Sequence, residues 1–363
     1  MTVRAGFIGG GFMGAVHTRA VRAARGELVA LASSTPEKGR AAALELGVGR
    51  AEPDATALAA ASDLDVVHVC SPNAQHAEHA LAAIAAGHHV VCEKPLATTV
   101  ADAERMTDAA TAAGVVGAVP FVYRYHPMVR QARALVAEGA VGTILTIDAA
   151  YLQDWLSHAD DHNWRTDAAA GGASRAFADI GSHLCDLVEF VSGRRIARLT
   201  ARTRTVYADR GGASVANEDI VALLVELDDG ALGTLLVSQL APGRKNGLVL
   251  ELHGTAQSIR FAQERPEELW LGRREGSQLV LRDPAADAPD SARLSIVPTG
   301  HPMGYQDAFT AFVVDAYAAI GGAAPEGLPT FADGLRAARL TQAVLDSAAA
   351  GGVWIDTPHE EKP

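Results

Sequence analysis

The glycine-rich segment Ile8–Gly14, IGGGFMG, constrains the fold most, because it stands between a short apolar run and a helical pattern. It fits G-x-G-x-x-G. In a strand–turn–helix context the first glycine permits a tight turn, the second leaves room for a pyrophosphate, and the third lets helix pack on strand. The N–H groups at the helix start then bind phosphate. Five residues are therefore expected to contact a dinucleotide: Gly9, Gly11, Phe12, Met13 and Gly14.

The alternation of strand and helix patterns continues through the first 120 or so residues. Apolar runs at 3–8, 28–32, 66–70, 90–92 and 115–119 alternate with helical patterns at 14–25, 37–46, 76–86 and 100–113. Strands that alternate with helices of this length form βαβ units and a parallel sheet covered on both faces. We expect residues 1–122 to form a doubly wound, dinucleotide-binding Rossmann domain of the α/β class.

After Pro120 the pattern changes to longer strands with few helices. A helix is expected at 127–138, strands at 143–153, 196–207, 219–227, 231–239, 248–253 and 257–261, an exposed loop or edge hairpin at 273–292, and helices at 306–320 and 332–350. Asp229-Gly230 between two of the strands is a strong hairpin signal. Residues 123–363 are predicted to form a substrate-binding α+β domain with a large, mainly antiparallel open sheet. Its uncovered face predicts a homodimer or homotetramer.

Composition and charge exclude several classes of partner. A net charge of −12, from 31 Lys and Arg against 43 Asp and Glu, disfavours nucleic acid. The first residues lack the layout of a signal peptide, and no apolar run approaches the roughly 20 residues that span a bilayer. Cys70, Cys92 and Cys185 stand apart in apolar runs, which favours core thiols in a reducing compartment. We expect a cytoplasmic protein without a membrane partner.

The choice between NAD and NADP depends on the end of the second strand. Ser33 lies 19 residues past Gly14, where an NAD-selective site places an acidic residue. Ser33 and Ser34, followed by Lys38 and Arg40, offer donors and positive charge to a 2′-phosphate instead. This pattern favours NADP. If Lys38 and Arg40 form only a solvated helix face, NAD or dual use stays open.

Several further motifs occur in a fixed order along nearly the whole chain. They are Ser71–His76 (SPNAQH), Cys92–Pro95 (CEKP), Tyr123-Arg124 and Asp179–Asp186 (DIGSHLCD). With the glycine-rich turn they resemble the Gfo/Idh/MocA family, the glucose–fructose oxidoreductase and inositol dehydrogenase group. Within it the segments Tyr151–Trp155, Asn163–Arg165 and Phe331–Gly334 are most similar to the levoglucosan and inositol dehydrogenases. Gly171–Arg175 departs from the family in having fewer glycines, so the substrate loop is expected to differ.

The histidine motif offers a general base for oxidation of a secondary alcohol. Leu184, Leu187, Val188 and Val191 form one apolar stripe, which predicts a helix that Ser182 would cap. His183 lies off that stripe in the first turn, where a neutral imidazole is able to accept the hydroxyl proton. Asp179 or Asp186 would fix its tautomer. The alternative is a capping or packed histidine.

Lys94 is the second candidate for a catalytic residue. It follows an apolar strand at the carboxyl-end edge, where ligands bind to open α/β sheets. A cation there stabilises developing alkoxide. The resemblance implies that Lys94 is catalytic and that Glu93 contacts the nicotinamide side of the cofactor. A solvated strand-end lysine is the alternative.

The remaining candidates are weaker. Asp179 is assigned to substrate orientation, and Tyr123 and Arg124 either line the substrate cleft or form a structural pair. His17 is expected to pack in the first helix, and a ligand contact is the alternative. The sequence from His158 to His162 is expected to form a solvated loop rather than a metal site, so no metal is predicted. Candidates for the cofactor edge are Ser71, Asn73 and His76, and candidates for stacking or hydrogen bonding on a sugar are Trp155, Trp164, Arg165 and His301, of which Trp164 and Arg165 are also placed with the cofactor.

These patterns, together with what the family resemblance implies, predict an oxidoreductase that transfers hydride between a sugar or cyclitol CH–OH and NAD(P), with His183 as base and Lys94 holding the oxygen. Two alternatives stay open. One is a glycoside hydrolase that keeps its NAD bound and works by transient oxidation. The other is a nucleotide-sensing regulator without catalysis, which an intact pair of His183 and Lys94 disfavours.

Overall fold

The computed structural model describes residues 2–161 and 163–357, which divide into two compact units. The first comprises the chain up to Val122 together with Tyr305–Ala338. The second comprises Tyr123–Gly304 and the chain from Arg339 onward. The segment 305–338 thus returns to the first unit, which a single division at 122/123 did not anticipate.

The first unit is built on a six-stranded parallel sheet in the order β3-β2-β1-β4-β5-β6. Its strands are β1 (Arg4–Ile8), β2 (Glu27–Ala32), β3 (Arg50–Ala51), β4 (Val66–Val69), β5 (His89–Cys92) and β6 (Gly117–Ala118). Its helices are α1 (Phe12–Ala23), α2 (Pro36–Leu46), α3 (Ala55–Ala59), α4 (His76–Ala85) and α5 (Val100–Ala113). This is the strand order of doubly wound dinucleotide-binding sheets, as predicted.

Local sequence signals set the ends of these helices. The Thr35 side chain accepts a hydrogen bond from the N–H of Lys38 at the start of α2, and Pro36 occupies the first helical position. Gly47 ends α2 in the left-handed conformation. The central strands β4 and β5 are apolar and almost wholly buried, as expected of a parallel sheet covered on both faces.

The second unit contains a nine-stranded sheet in the order β16-β15-β14-β13-β7-β12-β11-β8-β17 and a separate β9–β10 pair. Its strands are β7 (Ile144–Leu152), β8 (Ile196–Arg204), β9 (Asp209–Arg210), β10 (Ala213–Ser214), β11 (Ile220–Leu227), β12 (Leu232–Ser238), β13 (Gly247–Gly254), β14 (Ser258–Ala262), β15 (Glu268–Arg273), β16 (Gly276–Leu281) and β17 (Ile355–Asp356). All neighbours are antiparallel except β7 and β12, so the prediction of a mainly antiparallel sheet is confirmed.

The later helices are α6 (Pro127–Ala137), α7 (Ala168–Gly171), α8 (Ser182–Ser192), α9 (Pro289–Ala292), α10 (Tyr305–Ile320) and α11 (Phe331–Ala349). In the second unit α6 and α8 pack on one face of the sheet, where Leu184 and Val188 belong to the main apolar core. The other face carries leucines that are 42–55% exposed, at Leu145, Leu224, Leu232 and Leu236. None of the helices in the described part of the chain is both long enough and apolar enough to cross a bilayer.

Most elements match the sequence pattern, and the exceptions are short. Gly230 has φ +88° in the tight turn between β11 and β12, which confirms the hairpin signal. The predicted edge hairpin starts earlier than expected, at β15, and β16 forms the sheet edge. The elements β3, α3 and β17 were missed because two to five residues carry no measurable period.

Candidate active site

The glycine-rich turn follows β1 and opens α1, and its glycines fill three different needs. Gly9 has φ +111°, and a Cβ there would lie 2.5 Å from the Cys70 carbonyl oxygen. A Cβ on Gly14 would lie 2.3 Å from the carbonyl oxygen of Gly9, whereas one on Gly11 would meet nothing within 4 Å. The open space at Gly11 beside the uncapped start of α1 fits the pyrophosphate of a dinucleotide.

Phe12 and Met13 form the first turn of α1, and the Phe12 ring is largely exposed. The end of β2 presents Ser33 partly exposed and Ser34 exposed. Lys38 is exposed in the first turn of α2, whereas Arg40 forms a 2.9 Å ion pair with Glu37. Lys38 and Arg40 are the two cations that favoured NADP. The charge of Arg40 is offset by the carboxylate of Glu37.

The turn after β5 carries Glu93, Lys94 and Pro95. The Lys94–Pro95 peptide bond is cis, and the Lys94 side chain is partly exposed. Glu93 is buried and its Oε2 accepts the Lys94 backbone N–H at 3.3 Å. His76, at the start of α4, lies 2.8 Å from the carbonyl oxygen of Pro95 and 2.9 Å from that of Ser71. His76 therefore joins the loops that follow β4 and β5.

The other residues of the β4 loop have partners within the same unit. The Ser71 hydroxyl lies 2.9 Å from His79 Nδ1, and Asn73 is buried in a short 3₁₀ turn. His17 is fully buried, as expected for a packed residue, but its Nε2 also lies 2.9 Å from Glu93 Oε1. The first unit thus gathers the turn at Gly9–Gly14, the Ser71–His76 loop and Glu93-Lys94 at the carboxyl-end side of one sheet.

In the second unit the histidine motif forms a π-helical turn, Phe177–Gly181, that runs directly into α8. Asp179 lies in this turn and His183 in the first turn of α8, where its ring stacks edge-on against Tyr123 at 4.9 Å. Such π turns occur often at functional sites. The prediction that Ser182 caps the helix is wrong, because its hydroxyl donates to the Ala178 carbonyl oxygen at 2.8 Å.

Asp179 is held by two side chains of the same unit. Gln239 donates from Nε2 to Asp179 Oδ2 at 2.9 Å, and Arg165 Nε lies 3.5 Å from Oδ1. The Arg165 guanidinium stacks 4.3 Å from the centre of the Trp164 ring. Trp164, Arg165 and Asp179 therefore form one group, which supports neither a cofactor nor a sugar role over the other.

A second polar group surrounds Tyr123. Its hydroxyl is hydrogen-bonded to the hydroxyl of Tyr151, and Asn246 Nδ2 donates to it at 3.2 Å. Burial raises the pKa of Tyr123, aided by the charge of Asp179, although both hydrogen bonds oppose the shift. Trp155, at the end of this network, donates from Nε1 to Gln153 at 2.9 Å.

Arg124 and Asp186 form a two-point buried ion pair. Arg124 Nε donates to Asp186 Oδ2 at 2.9 Å, and Nη2 bonds to Oδ1. Since Asp186 lies in α8, this pair fixes the helix that carries His183. The geometry agrees with the structural alternative for Arg124.

His301 is exposed in a loop, and its backbone carbonyl accepts from Arg282 at 2.9 Å. The region 171–175 is held by Arg175, which is buried and paired with Asp219. Within residues 2–161 and 163–357 no cluster of three or more metal-binding side chains occurs, and His162 lies outside them. Cys70, Cys92 and Cys185 carry free thiols.

Several residues of these groups had no sequence signal. Gln239 on Asp179, Asn246 on Tyr123, and His68 and Tyr317 behind His17 come from distant segments. Tyr151 was noted only as part of a family segment. A concavity of about 470 Å³ between β13 and β15 contains none of the predicted site residues.

A doubly wound sheet with a glycine-rich turn, followed by an α+β unit with a mixed nine-stranded sheet, defines the class of two-domain nicotinamide-dependent oxidoreductases. Two family models match in that order. Residues 3–121 match the oxidoreductase family with an NAD-binding Rossmann fold, and residues 129–260 match the GFO/IDH/MocA C-terminal domain. The chain belongs to the Gfo/Idh/MocA family of oxidoreductases.

Relatives match the chain over nearly its whole length. The levoglucosan dehydrogenase of Pseudarthrobacter phenanthrenivorans is 32% identical, covering 97% of both chains. A structure of levoglucosan dehydrogenase with NADH and levoglucosan has a TM-score of 0.92 and 32% identity, covering 99% of this chain and all of the other. An inositol dehydrogenase homologue from Azotobacter vinelandii, with NADH and myo-inositol, has a TM-score of 0.87 and 27% identity, covering 98% of both.

Proposed function

We propose that this chain transfers hydride between the CH–OH group of a sugar or cyclitol and NAD(P), with His183 as general base and Lys94 holding the reacting oxygen. In this proposal residues 1–122 bind the dinucleotide and residues 123–363 the substrate. Related structures contain levoglucosan and myo-inositol, which supports a polyhydroxylated ring as the substrate class.

The nicotinamide, when bound, supplies the hydride acceptor, and the chain supplies proton transfer and orientation. His183 takes the hydroxyl proton, and the Lys94 ammonium stabilises the negative charge that develops on the oxygen. Asp179 orients the substrate. Trp155, Trp164 and His301 are weaker candidates for contacts to the sugar, and Arg124 acts through Asp186 by fixing α8.

The observation that carries this proposal is the way the Asp179–His183 turn is held. Gln239 and Arg165 bind the carboxylate of Asp179, the π-helical turn leads directly to His183, and the Tyr123 ring packs against the imidazole. An imidazole packed against an aromatic ring, one turn after a carboxylate held by two side chains, is suited to accept a proton in a defined direction.

The test is His183→Ala, assayed with a panel of sugars and cyclitols by the absorbance of reduced nicotinamide. We expect kcat to fall at least about 10²-fold with unchanged nucleotide affinity. His253→Ala, at a half-exposed histidine on β13, serves as the control and should keep full activity. Unchanged turnover in the His183 variant would refute the base. Glycoside cleavage without net nicotinamide reduction would favour the hydrolase.

For the cofactor we propose a preference for NADP, supported by Ser33, Ser34 and the exposed Lys38. The ion pair of Arg40 with Glu37 weakens that support, and the related structures with NADH show that those proteins bind NADH. Titration of the protein with both oxidised cofactors decides the matter. Tighter binding of NAD⁺ would refute the preference.

We also propose that the open face of the nine-stranded sheet joins copies of the chain into a homodimer or homotetramer. Leu224, Leu232 and Leu236 point from neighbouring strands to that face, each at least 42% exposed. Light scattering tests this, and a monomer at assay concentration would refute it. The free thiols support a reducing compartment, the cytoplasm.

A further inference from the structure

A line of four buried side chains crosses the first unit behind Glu93. His17 Nε2 lies 2.9 Å from Glu93 Oε1, and His17 Nδ1 lies 2.8 Å from His68 Nδ1. His68 Nε2 in turn lies 2.9 Å from the Tyr317 hydroxyl. Both histidines are fully buried, and Glu93 and Tyr317 are 6% and 8% exposed. The four residues come from α1, β4, the turn after β5, and α10.

The direction of these hydrogen bonds follows from the chemistry of the groups. An ionised carboxylate only accepts, so His17 donates from Nε2 to Glu93. If His17 is neutral, its Nδ1 accepts, and His68 carries its proton on Nδ1. His68 therefore accepts at Nε2 from the Tyr317 hydroxyl. Within residues 2–161 and 163–357 the Tyr317 hydroxyl has no other hydrogen-bond partner, so this arrangement gives every hydrogen of the line an acceptor.

Groups around the Glu93 end favour the carboxylate. Burial would raise the pKa of Glu93, but the hydrogen bond from His17 and the nearby positive charge of Lys94 lower it overall. Cys70 and Cys92 lie close enough to interact electrostatically with Glu93. Burial, with the nearby carboxylate, raises the pKa of both thiols well above its ordinary value, so they stay neutral.

At the other end the line remains neutral. Burial, and the neighbouring His17, lower the pKa of His68 well below its ordinary value. Burial, and the charge of Asp65, raise the pKa of Tyr317. Asp65 precedes β4 and forms a 2.8 Å ion pair with Arg4 at the amino-end side of the sheet. The line thus runs from one end of the parallel strands to the other.

We propose that His17, His68 and Tyr317 are positioning residues whose hydrogen bonds run one way, from Tyr317 to His68 to His17 to Glu93, and hold Glu93 as a carboxylate beside Lys94. The Tyr317 phenol on α10 lies three hydrogen bonds from Glu93. It thereby sets the ionisation of the carboxyl group next to Lys94, the proposed catalytic lysine. The kinetic consequence rests on the proposed function of Lys94, whereas the hydrogen-bond direction and the ionisation of Glu93 do not.

The first test reads the histidine tautomers directly, in the unliganded protein. Nitrogen NMR of ¹⁵N-histidine-labelled protein near neutral pH, assigned with His17→Gln and His68→Gln, should show the proton of His17 on Nε2 and that of His68 on Nδ1. The opposite pattern, with His17 protonated on Nδ1 and His68 on Nε2, would overturn the proposal, because the line would then run away from Glu93.

The second test follows the protonation of Glu93 by infrared spectroscopy during a pH titration, with the carboxyl band assigned by Glu93→Gln. In Tyr317→Phe we expect Glu93 to take up its proton at a pH higher by roughly half a unit, because His17 becomes a weaker donor. Phe309→Leu is the control, since Phe309 packs 4.6 Å from the His17 ring without hydrogen bonding to it. An equal shift in both variants, or no shift in Tyr317→Phe, would overturn the proposal.

His17 offers a rescue experiment at the nearer end of the line. His17→Leu removes the donor to Glu93, whereas the amide of His17→Gln is able to replace it. We expect Glu93 to protonate at higher pH in the leucine variant and near its original pH in the glutamine variant. Should both variants behave alike, the proposal fails.

The acidic side of the kcat–pH profile then separates this proposal from the proposed function. We expect it to move upward with the infrared titration in Tyr317→Phe. An infrared shift without a kinetic shift would confirm the positioning line and refute the part of the proposed function that places Lys94 at the reacting oxygen.

Discussion

The two compact units bury their polar side chains in different ways. In the first, His17, His68 and His76 each have both ring nitrogens within hydrogen-bond distance of a partner. Its ion pairs Arg4–Asp65 and Arg50–Asp63 lie nearer the surface, with arginine side chains at least 40% exposed. In the second unit, the ion pairs of Asp219 with Arg175 and Arg210 are completely buried.

This difference separates two physical tasks. Buried neutral groups in a hydrogen-bonded line are able to rearrange protons while no net charge moves into a low-dielectric interior. Buried ion pairs hold segments in one geometry and become costly when a single partner is lost. The first unit is therefore suited to tune a charge, and the second to fix the segment 163–186 that carries the candidate substrate residues.

The largest predicted effect comes from breaking the buried charge cluster with Asp219→Asn. The two guanidinium groups would lose their shared carboxylate in a fully buried place, so we expect the free energy of unfolding to fall by about 3–5 kcal/mol. Urea unfolding followed by circular dichroism measures this loss.

The matched control in the first unit is Asp63→Asn, which removes a carboxylate from the partly exposed Arg50. We expect a loss below about 1 kcal/mol. Equal losses of stability in Asp219→Asn and Asp63→Asn would mean that burial of an ion pair does not determine how much it contributes to stability in the two units.

His126 provides the second prediction, because it contrasts with the histidines of the first unit. It packs against the rings of Tyr123 and Phe261 at 5.9 and 5.7 Å, and its buried Nε2 has no hydrogen-bond partner within the described residues. Burial lowers the pKa of His126 from 6.5 to about 4. The folded state therefore disfavours protonation, and stability is lost as the pH falls from about 6.5 to about 4.

The pKa shift corresponds to about 3 kcal/mol of stability that the unaltered protein loses on acidification. His126→Phe should not lose this stability, because phenylalanine does not bind a proton. Tryptophan fluorescence in urea measures the second unit alone, since Trp155, Trp164, Trp270 and Trp354 all lie there. The control variant His253→Gln, at the half-exposed histidine on β13, should follow the unaltered protein. If His126→Phe loses stability as steeply as the unaltered protein, His126 is not responsible for the acid sensitivity.

The sequence predicted most of the fold because its long elements carry clear periods. The apolar strands around Phe7, Val67 and Val91, the alanine-rich helices and the Asp229-Gly230 turn all specify local structure without help from distant residues. What it could not predict is which unit a helix joins. The pattern of α10 shows an apolar face, but only packing reveals that Phe309 meets His17 of α1.

The candidate site divides in the same way. Gly9, Gly11, Gly14, Lys94 and His183 could be singled out because a motif states their order. The groups that surround them could not, because Gln239 reaches Asp179, Asn246 reaches Tyr123 and Tyr317 reaches His68 across 60 or more residues of chain. Ser182 was misread as a cap because the π-helical turn before α8 leaves no trace in the apolar spacing.

The smallest predicted stability effect concerns two glycines in the first unit. There, dinucleotide binding depends on the space around the backbone rather than on ion pairs. A methyl group at Gly14 would collide with the carbonyl oxygen of Gly9, so Gly14→Ala should cost about 1–3 kcal/mol. A methyl group at Gly11 meets nothing, and Gly11→Ala should change stability by less than about 0.5 kcal/mol. It should nevertheless weaken dinucleotide binding about tenfold, since the methyl group fills the approach of the pyrophosphate.

Urea unfolding and nucleotide titration of both variants measure these opposite effects. Full nucleotide affinity in Gly11→Ala would show that the open space beside α1 is not the pyrophosphate site. A Gly14→Ala protein as stable as Gly11→Ala would show that the backbone relaxes without cost. The two variants therefore separate the glycine needed for packing, Gly14, from the glycine needed for binding, Gly11. In the second unit, loss of a buried charge pair would change the fold and the candidate substrate residues together.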